Sequence, residues 1–564
     1  MLSVKFRPAL YWFLSAALIV AVYSPSLKSP FLLDDSHTLL SNAFIQSWSG
    51  FSSIWSTGRA YSSLPATYGY RPVTTTMNML LWMAGNGSAV PFHLMKLFLF
   101  LLTCFLLAKI WRTLLPWVAN EVIGASVLLF ALNPVHTQVT SYIAAIATQW
   151  AALFICLSVC GYLQFRKTNV RLWHVASLLC ALLAILSKEE GVVILAIIPL
   201  IELYLRKIEG MPIFQSRRMG SILMYLIPGA IGVGLIFWMF EPTQNLVRTD
   251  TTVWSYFMTQ WRAYLRYFSM YFFAQDLNGD NLQFGFSAAF LSKDVIFAFV
   301  LNLAFVSAVL LWWRRFPAFT LALFWFYIGV SPASSVVVLS EPVNDHRAFI
   351  GYLGFAIFGI LALNWLRKQN RKIFVSVVVA MACAYGVMTY QRGDVWRTNE
   401  NFWQNTVAKN PTSARAHNNL ALEMIHQKKY QPAIDLLKRC SELQLSYPAC
   451  HINHAVALAN LGRDAEAEVE FALAAQFDIG VIQSRYNWAN FLSARGQFIK
   501  AQSLFSEADQ LAQGQNLEVR LGLIDVLRQQ GNLDLAKKFF YEAVNTFGRH
   551  PKFLFEARRL GVDY

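Results

Sequence analysis

Charged side chains are scarce in this sequence. Asp, Glu, Lys and Arg make up 14% of its 564 residues, against about 25% in soluble proteins. That deficit excludes an ordinary soluble chain, and it is uneven. Residues 1–390 hold 27 Lys/Arg and 14 Asp/Glu, a net of +13, whereas residues 391–564 hold 20 and 18, a net of +2. The basic excess belongs to the apolar part, which points to loops at a membrane surface and away from nucleic-acid binding. No CxxC pair occurs among the seven cysteines, and no other metal-ligand spacing stands out, so no metal site is expected. Cys104, Cys156, Cys160, Cys180 and Cys383 sit inside apolar runs and read as packing residues. A small-x-small cleavage site is missing before the Pro25–Pro30 stretch. The apolar run Ala9–Tyr23, after Lys5 and Arg7, therefore reads as an uncleaved first span.

What is abundant is apolar sequence. A membrane span needs about 20 apolar residues. Eleven candidate spans follow: 9–24, 91–111, 121–136, 141–165, 172–187, 190–205, 220–240, 294–313, 317–338, 348–366 and 373–390. With the N-terminus in the cytoplasm, the clusters Lys109/Arg112, Arg166/Lys167/Arg171, Arg206/Lys207/Arg217/Arg218, Arg314/Arg315 and Arg367/Lys368/Arg371/Lys372 all fall inside. The alternation requires that residues 256–273, with Arg262 and Arg266, lie at the interface. The C-terminus is then outside. So are loop 25–90 and segments 241–293 and 339–347. In the first outer loop Phe44, Trp48, Phe51 and Trp55 are spaced as one helical stripe. It reads either as an amphipathic helix on the outer leaflet or as a face packed on other spans.

The last third repeats itself. Ala433 recurs as Ala467, Ala501 and Ala536, at intervals of 34, 34 and 35. Leu437 recurs as Phe471, Phe505 and Phe540, and Cys440 as Ala474, Ala508 and Ala543. The turns between helices carry Gly462, Gly496 and Gly531. This is the TPR pattern, and Trp403 and Pro411 fit the end of an earlier unit. Stacked repeats form a concave surface suited to a peptide or protein; a structural clamp or dimer contact is the plainer reading. Outside the cytoplasm Cys440 and Cys450 could form a disulfide; equally, Cys440 fills a small-residue position, which by itself accounts for it.

Ionisable residues gather at the outer ends of the spans, where they mark function. They are Asp34 and Asp35 after the first span, Arg71 and His93 closing the first loop, and His136 in NPVHTQ. Lys188, Glu189 and Glu190 follow in LSKEEG, then Glu341, Asp345, His346 and Arg347. Singly, each has a bland role: a helix cap, an interfacial anchor, or Lys188 and Glu189 neutralising each other. Together they suit glycosyl transfer from a polyprenyl phosphate or diphosphate. A carboxylate takes the acceptor proton. Lys188, His346 and Arg347, helped by Arg71, meet the departing anion.

In this order, FLLDDSHTLLSN, RPVTTTMNMLLW, PFHLMKLFLF, NPVHTQVTSYIAA, LSKEEGVVILAIIPL and NDHRAFIGYLG resemble motifs of the transmembrane-and-TPR-containing O-mannosyltransferase-like proteins. Those proteins and their bacterial relatives belong to the GT-C glycosyltransferase superfamily. The resemblance implies that Asp34 or Asp35 is the base and that Lys188, His346 and Arg347 lie near the donor phosphate. Gln138 stands where the family often has Glu, Lys96 where Asn is common, Asp345 in place of Glu, and Phe349 in place of Tyr.

The expected architecture is all-α, with a GT-C-like membrane domain over 1–390 and a TPR α-solenoid over 391–564 on the non-cytoplasmic side. The expected activity moves a sugar from a lipid-linked donor to a Ser/Thr hydroxyl of an exported protein, such as a pilin, held by the repeats. The donor is a substrate, and no cofactor is called for. The basic, short-looped style and the lack of a eukaryotic retention signal lean towards a bacterial inner membrane and periplasm. Three rivals stand: an oligosaccharide ligase or polymerase using a diphosphate-linked glycan, a non-catalytic envelope scaffold, and a transporter. The transporter would place charge near the bilayer midplane.

Overall fold

The computed structural model describes residues 8–212, 219–239, 252–281, 284–287, 292–335, 338–339, 341–478, 482–548 and 551–564. Lys5, Arg7, Arg217, Arg218 and, of the expected outer segment 241–293, residues 241–251, 282–283 and 288–291 lie outside the described residues. Two compact units divide the chain, Met1–Phe402 and Trp403–Tyr564. The last apolar helix of the first unit runs over Arg371–Val395.

The described residues of the first unit are helical. Its longer helices are α1 (Pro8–Tyr23), α2 (Pro72–Ala84), α3 (Val90–Leu114), α4 (Asn120–Leu132), α5 (Ile146–Thr168), α6 (Arg171–Ser187) and α7 (Ile194–Ile208). After these come α8 (Leu226–Trp238), α9 (Val253–Phe273), α10 (Lys293–Trp312), α11 (Pro317–Val330), α12 (Phe349–Gln369) and α13 (Arg371–Val395). Among the described residues each of the eleven expected spans contains helix, although the helix in 317–338 ends at Val330. By length and composition, however, seven helices among the described residues can cross a membrane, or eight if one bent pair counts as a span. The expected eleven is therefore not reached: α6 and α11 are apolar but short, and α7 has 15 residues. The chain is a multi-pass membrane protein. Close helix crossings hold it together. A methyl group at Gly329 would meet Gly351 N at 2.5 Å, the kind of small-residue contact by which apolar helices associate in lipid.

The bent pair has a sequence cause. Pro134 cannot continue a helix, so α4 ends at Leu132. The Asn133 side chain then accepts the Val135 N–H at 3.1 Å, and the following Pro134–Ser141 segment departs at 53°. α9, expected at the interface, lies outside the set of long apolar helices. Its arginines are paired, Arg262 with Asp294 at 2.9 Å and Arg266 with Asp276 at 3.0 Å.

The aromatic stripe of the first loop is not one helix. Ala43–Ile45 and Trp48–Gly50 are separate 3-10 turns, and only Phe51–Ser56 is α-helical. Asn42 caps the first turn. Gly50 fits under the Phe44 carbonyl, where a Cβ would lie 1.9 Å from the oxygen. Periodicity misled here because these two residues break the helix while Trp48, Phe51 and Trp55 remain exposed.

The second unit is a stack of helical hairpins: Ala414–His426 with Tyr430–Leu443, Pro448–Asn460 with Asp464–Phe477, Ile482–Ala494 with Phe498–Leu511, and Leu517–Gln529 with Leu533–Phe547. The recurring small residues Ala433, Ala467, Ala501 and Ala536 are fully buried, as are Leu437, Phe471, Phe505 and Phe540. Gly462, Gly496 and Gly531 take φ of +73°, +74° and +78°, the left-handed turn that closes each hairpin. The first repeat uses Lys428 there, at φ +61°. Successive first helices pack on one another more closely than successive second helices do. The first helices therefore line the inner face of the stack. Cys440 and Cys450 form a disulfide.

Candidate active site

The site begins with Arg71. Proline suits the first helical position because it has no amide hydrogen to satisfy. α2 therefore starts at Pro72 and leaves Arg71 at its mouth. Thr74 Oγ1 donates to the Ser187 carbonyl at 2.8 Å, fastening α2 to the end of α6. Arg71 then grips Glu189 with two prongs, Nε to Oε2 at 2.9 Å and Nη2 to Oε1 at 2.5 Å. Its Nη1 donates to the Tyr61 hydroxyl at 2.6 Å. Burial opposes the charge on Glu189, but Arg71, with Lys188 behind it, holds the carboxyl down at about 2.

Lys188 is extended, at φ −159° and ψ 144°, and ends α6. A 3-10 turn over Glu189–Val193 follows, so adjacent carboxylates point apart. Lys188 Nζ meets Glu190 Oε1 at 2.6 Å and donates to Thr148 Oγ1 at 3.0 Å. Mutual neutralisation of Lys188 and Glu189 is thus corrected: the turn gives Lys188 to Glu190 and Glu189 to Arg71. The turn depends on Gly191, where a Cβ would sit 2.2 Å from the Ala184 carbonyl oxygen.

The two aspartates occupy different environments. Asp34 is largely exposed and lies 3.5 Å from His37 Nε2. Its backbone N–H donates to the Tyr142 hydroxyl at 3.1 Å, and its charge is felt at Tyr61 and Tyr142. Asp35 is fully buried. Its Oδ2 accepts the Leu32 N–H at 2.8 Å, across a turn in which Leu33 takes φ +51°. Burial pushes the Asp35 carboxyl up to about 8, against the opposing pull of the Leu32 N–H and Lys96.

His346 closes the arrangement from the far end of the membrane unit. Its backbone N–H donates to Gln138 Oε1 at 2.6 Å, and its Nδ1 lies 3.2 Å from the same oxygen. Its ring is 6.4 Å from that of Tyr142, beside Asp34. Lys188, Arg347, Lys96 and Arg71 all lie within electrostatic reach of it. Arg347 donates to the Glu341 carbonyl. Asp345 accepts from Asn281 Nδ2 at 3.0 Å.

Asp34, Arg71, Lys188, Glu189, Glu190, His346 and Arg347 are thus brought into one neighbourhood. His136 is not part of it. Its ring is boxed by Phe130, Phe349 and Phe100 at 4.3, 5.4 and 5.8 Å, and neither ring nitrogen makes a hydrogen bond among the described residues. His93 lies beneath, with Nε2 3.0 Å from the Ser29 carbonyl oxygen. Among the described residues no three His, Cys, Asp or Glu side chains converge as metal ligands would. Sequence reasoning did not find Tyr61, Tyr142 or Thr148. Tyr61 and Tyr142 lie in short turns and Thr148 on α5, and isolated hydroxyls carry no distinctive spacing that would mark them.

No family model matches the sequence. Protein O-mannosyl-transferase TMTC4 of Homo sapiens is 21% identical over 476 residues, covering 74% of this chain and 64% of its own length. Protein O-mannosyl-transferase TMTC3 of Mus musculus is 21% identical over 556 residues, covering 88% of this chain and 59% of its own. The chain thus spans less than two thirds of the length of either relative. Among solved structures, a thermophilic TPR protein of Thermus thermophilus matches 32% of this chain and 94% of its own. Its identity is 16% and its TM-score 0.26. Over most of its length the chain is thus similar in sequence, at about one residue in five, to proteins named protein O-mannosyl-transferases.

Proposed function

We propose that this protein transfers a sugar from a polyprenyl-phosphate-linked donor to a Ser or Thr hydroxyl of a protein, on the non-cytoplasmic face of a bacterial inner membrane. The observation that carries the reading is the convergence of four basic side chains, Arg71, Lys188, Arg347 and Lys96, around His346, with the exposed Asp34 alongside. Such a donor leaves as an anion, so the site needs fixed positive charge rather than a proton donor. The acceptor hydroxyl needs a base within reach. Asp34 suits that role because it is accessible, whereas Asp35 is sealed beneath it.

Two of the side chains proposed to meet the phosphate already have their charge balanced. Arg71 holds Glu189, and Lys188 holds Glu190. Arg347 holds only a carbonyl in the contacts described. In this reading Arg347 and His346 receive the phosphate first, and Lys188 and Arg71 turn from their glutamates as it binds. The sugar–phosphate bond breaks, the acceptor oxygen bonds to the sugar carbon, and its proton goes to Asp34. The repeats present the acceptor on their inner face. The relatives' names are one further support for a protein acceptor.

The test compares exported-protein masses from cells carrying wild type, Asp34→Asn or Asp35→Asn. Loss of a sugar-sized mass with Asp34→Asn, at normal membrane levels of the variant, supports the reading. Unchanged masses in both variants would move the scaffold reading to first place.

A further inference from the structure

The first helices of three repeats carry an asparagine at the same place. Asn419 recurs as Asn453 and Asn487, at intervals of 34 and 34. Each lies inside its helix, in Ala414–His426, Pro448–Asn460 and Ile482–Ala494. Asparagine suits a helix interior poorly, because its amide competes for backbone hydrogen bonds. Three units accept that cost at one register position. Two residues further on stand Ala421, Ala455 and Ala489, all fully buried. Two residues turn about 200° round a helix of 3.6 residues per turn. Each asparagine therefore points away from its own hairpin, towards the inner face of the stack. Asn453 Nδ2 donates to Asn418 Oδ1 at 2.8 Å, on the first helix of the preceding repeat, and Asn418 Nδ2 donates to Asn419 Oδ1 at 3.1 Å. The amides thus run from one first helix to the next. Asn487 Nδ2 donates to the Gln483 carbonyl of its own helix at 2.9 Å. Among the described residues Asn419 Nδ2, Asn453 Oδ1 and Asn487 Oδ1 make no hydrogen bond, and all three side chains are half-buried.

We propose that this ladder of amides holds an extended, proline-rich stretch of polypeptide by its backbone. A side-chain amide carries both donors and an acceptor, the complement of a peptide unit. Packed helices lie about 8–10 Å apart, which sets the step of the ladder. Three residues of polyproline II chain advance about 9 Å and complete one turn, so such a chain turns the same face to every asparagine. A β-strand repeats its face every second residue, at about 6.6–6.8 Å, and falls out of step. A helical ligand has its backbone groups bonded internally, whereas polyproline II leaves them free. Gly522 holds the matching place in the fourth repeat, so the ladder spans three units, or roughly seven residues of ligand. Recognition through backbone selects a segment for being unfolded and extended, with little regard to its sequence. As the acceptor class of the proposed transfer, an unfolded Pro- and Ser/Thr-rich stretch, this rests on the transferase reading. The peptide binding itself does not.

The test titrates the full-length protein in detergent against a fluorescein-labelled peptide of five Thr-Ala-Pro units and reads anisotropy. Asn487→Ala should weaken binding about three- to tenfold, the worth of one or two hydrogen bonds, and the triple variant Asn419→Ala/Asn453→Ala/Asn487→Ala at least about thirtyfold. A scrambled peptide of the same composition should bind within about twofold of the original. Asn487→Ala should also hold or raise the melting temperature, because alanine is the better helix former; an asparagine of purely structural role would lower it on removal. A triple variant that binds as wild type does overturns the ladder. So does a lowered melting temperature with unchanged binding in Asn487→Ala, or a scrambled peptide bound more than about tenfold more weakly. Wild type that binds neither peptide overturns it as well, and so does a glucose heptasaccharide bound through the asparagines in the peptide's stead. If the peptides bind as expected but wild type transfers no sugar, the ladder stands and the transferase reading falls. Sugar transfer that the triple variant performs as fast as wild type overturns the ladder's acceptor role and leaves the transferase reading intact.

Discussion

Arg71 and Glu189 stand 118 residues apart in the chain and meet in a two-pronged ion pair. The pair joins the loop after α1 to the turn after α6, so one contact fixes two of the segments that form the site. Arg71→Lys keeps the charge but loses the fork that matches a carboxylate. Thermal unfolding of the solubilised protein should show a loss of about 1 kcal/mol, and transfer should fall more than stability does.

Gly191 permits the turn that separates Glu189 from Glu190. An alanine methyl there would collide with the Ala184 carbonyl, which is backbone and cannot rotate away. Gly191→Ala should therefore cost at least about 1–3 kcal/mol by overpacking. It should also lower transfer even where protein accumulates, as assayed by membrane yield and exported-protein mass together.

The hairpin glycines of the repeats give a cleaner case. Gly462, Gly496 and Gly531 have open space where a Cβ would go, so only backbone strain opposes a side chain. Each Gly→Ala change should cost about 1 kcal/mol, and Lys428→Gly, at the matching turn of the first repeat, should not destabilise. Denaturant titration of the full chain, followed by a probe in the repeats, reads all four.

Glu470 bridges two histidines, His451 at 2.6 Å and His454 at 3.1 Å. His451 Nε2 also lies 2.8 Å from the Leu445 carbonyl oxygen. With an acceptor at each nitrogen, the His451 ring needs both protons. Burial opposes that charge, but Glu470 and Leu445 outweigh burial and raise its pKa above 6.5. Burial likewise opposes ionisation of Glu470, and the histidines hold it down at about 2. The histidine's contribution is complete below its unfolded value of 6.5 and is lost as pH rises through the raised folded value. The glutamate's is complete above 4.5 and is lost as pH falls towards 2. Hydrogen exchange in Pro448–Asn460, corrected for intrinsic rates, should be slowest between these two limits.

The repeats were legible in the sequence because their packing is periodic: the same small and bulky positions are buried in every unit. The apolar segments were legible for a similar reason, since lipid demands length and composition. The pairing of charges was not. Lys188 faces two glutamates in sequence, and only the 3-10 turn decides between them. His136 looked like its charged neighbours in sequence, but the bend at Asn133–Pro134 turned it into an aromatic box. Lys96 showed only as an unusual residue in a motif.

The contact between Gln138 and His346 spans 208 residues, and that distance bears on how the protein is made. Ribosomes deliver this chain to the membrane from its N-terminus, so Gln138 is inserted long before its partner is synthesised. Until residues 341–347 emerge, Asp34, Arg71 and Lys188 can already be fastened in place while the wall supplied by His346 and Arg347 is missing. Truncated or stalled chains ending before that point should therefore be folded at their outer face yet inert, and competence should appear abruptly rather than gradually as nascent chains lengthen.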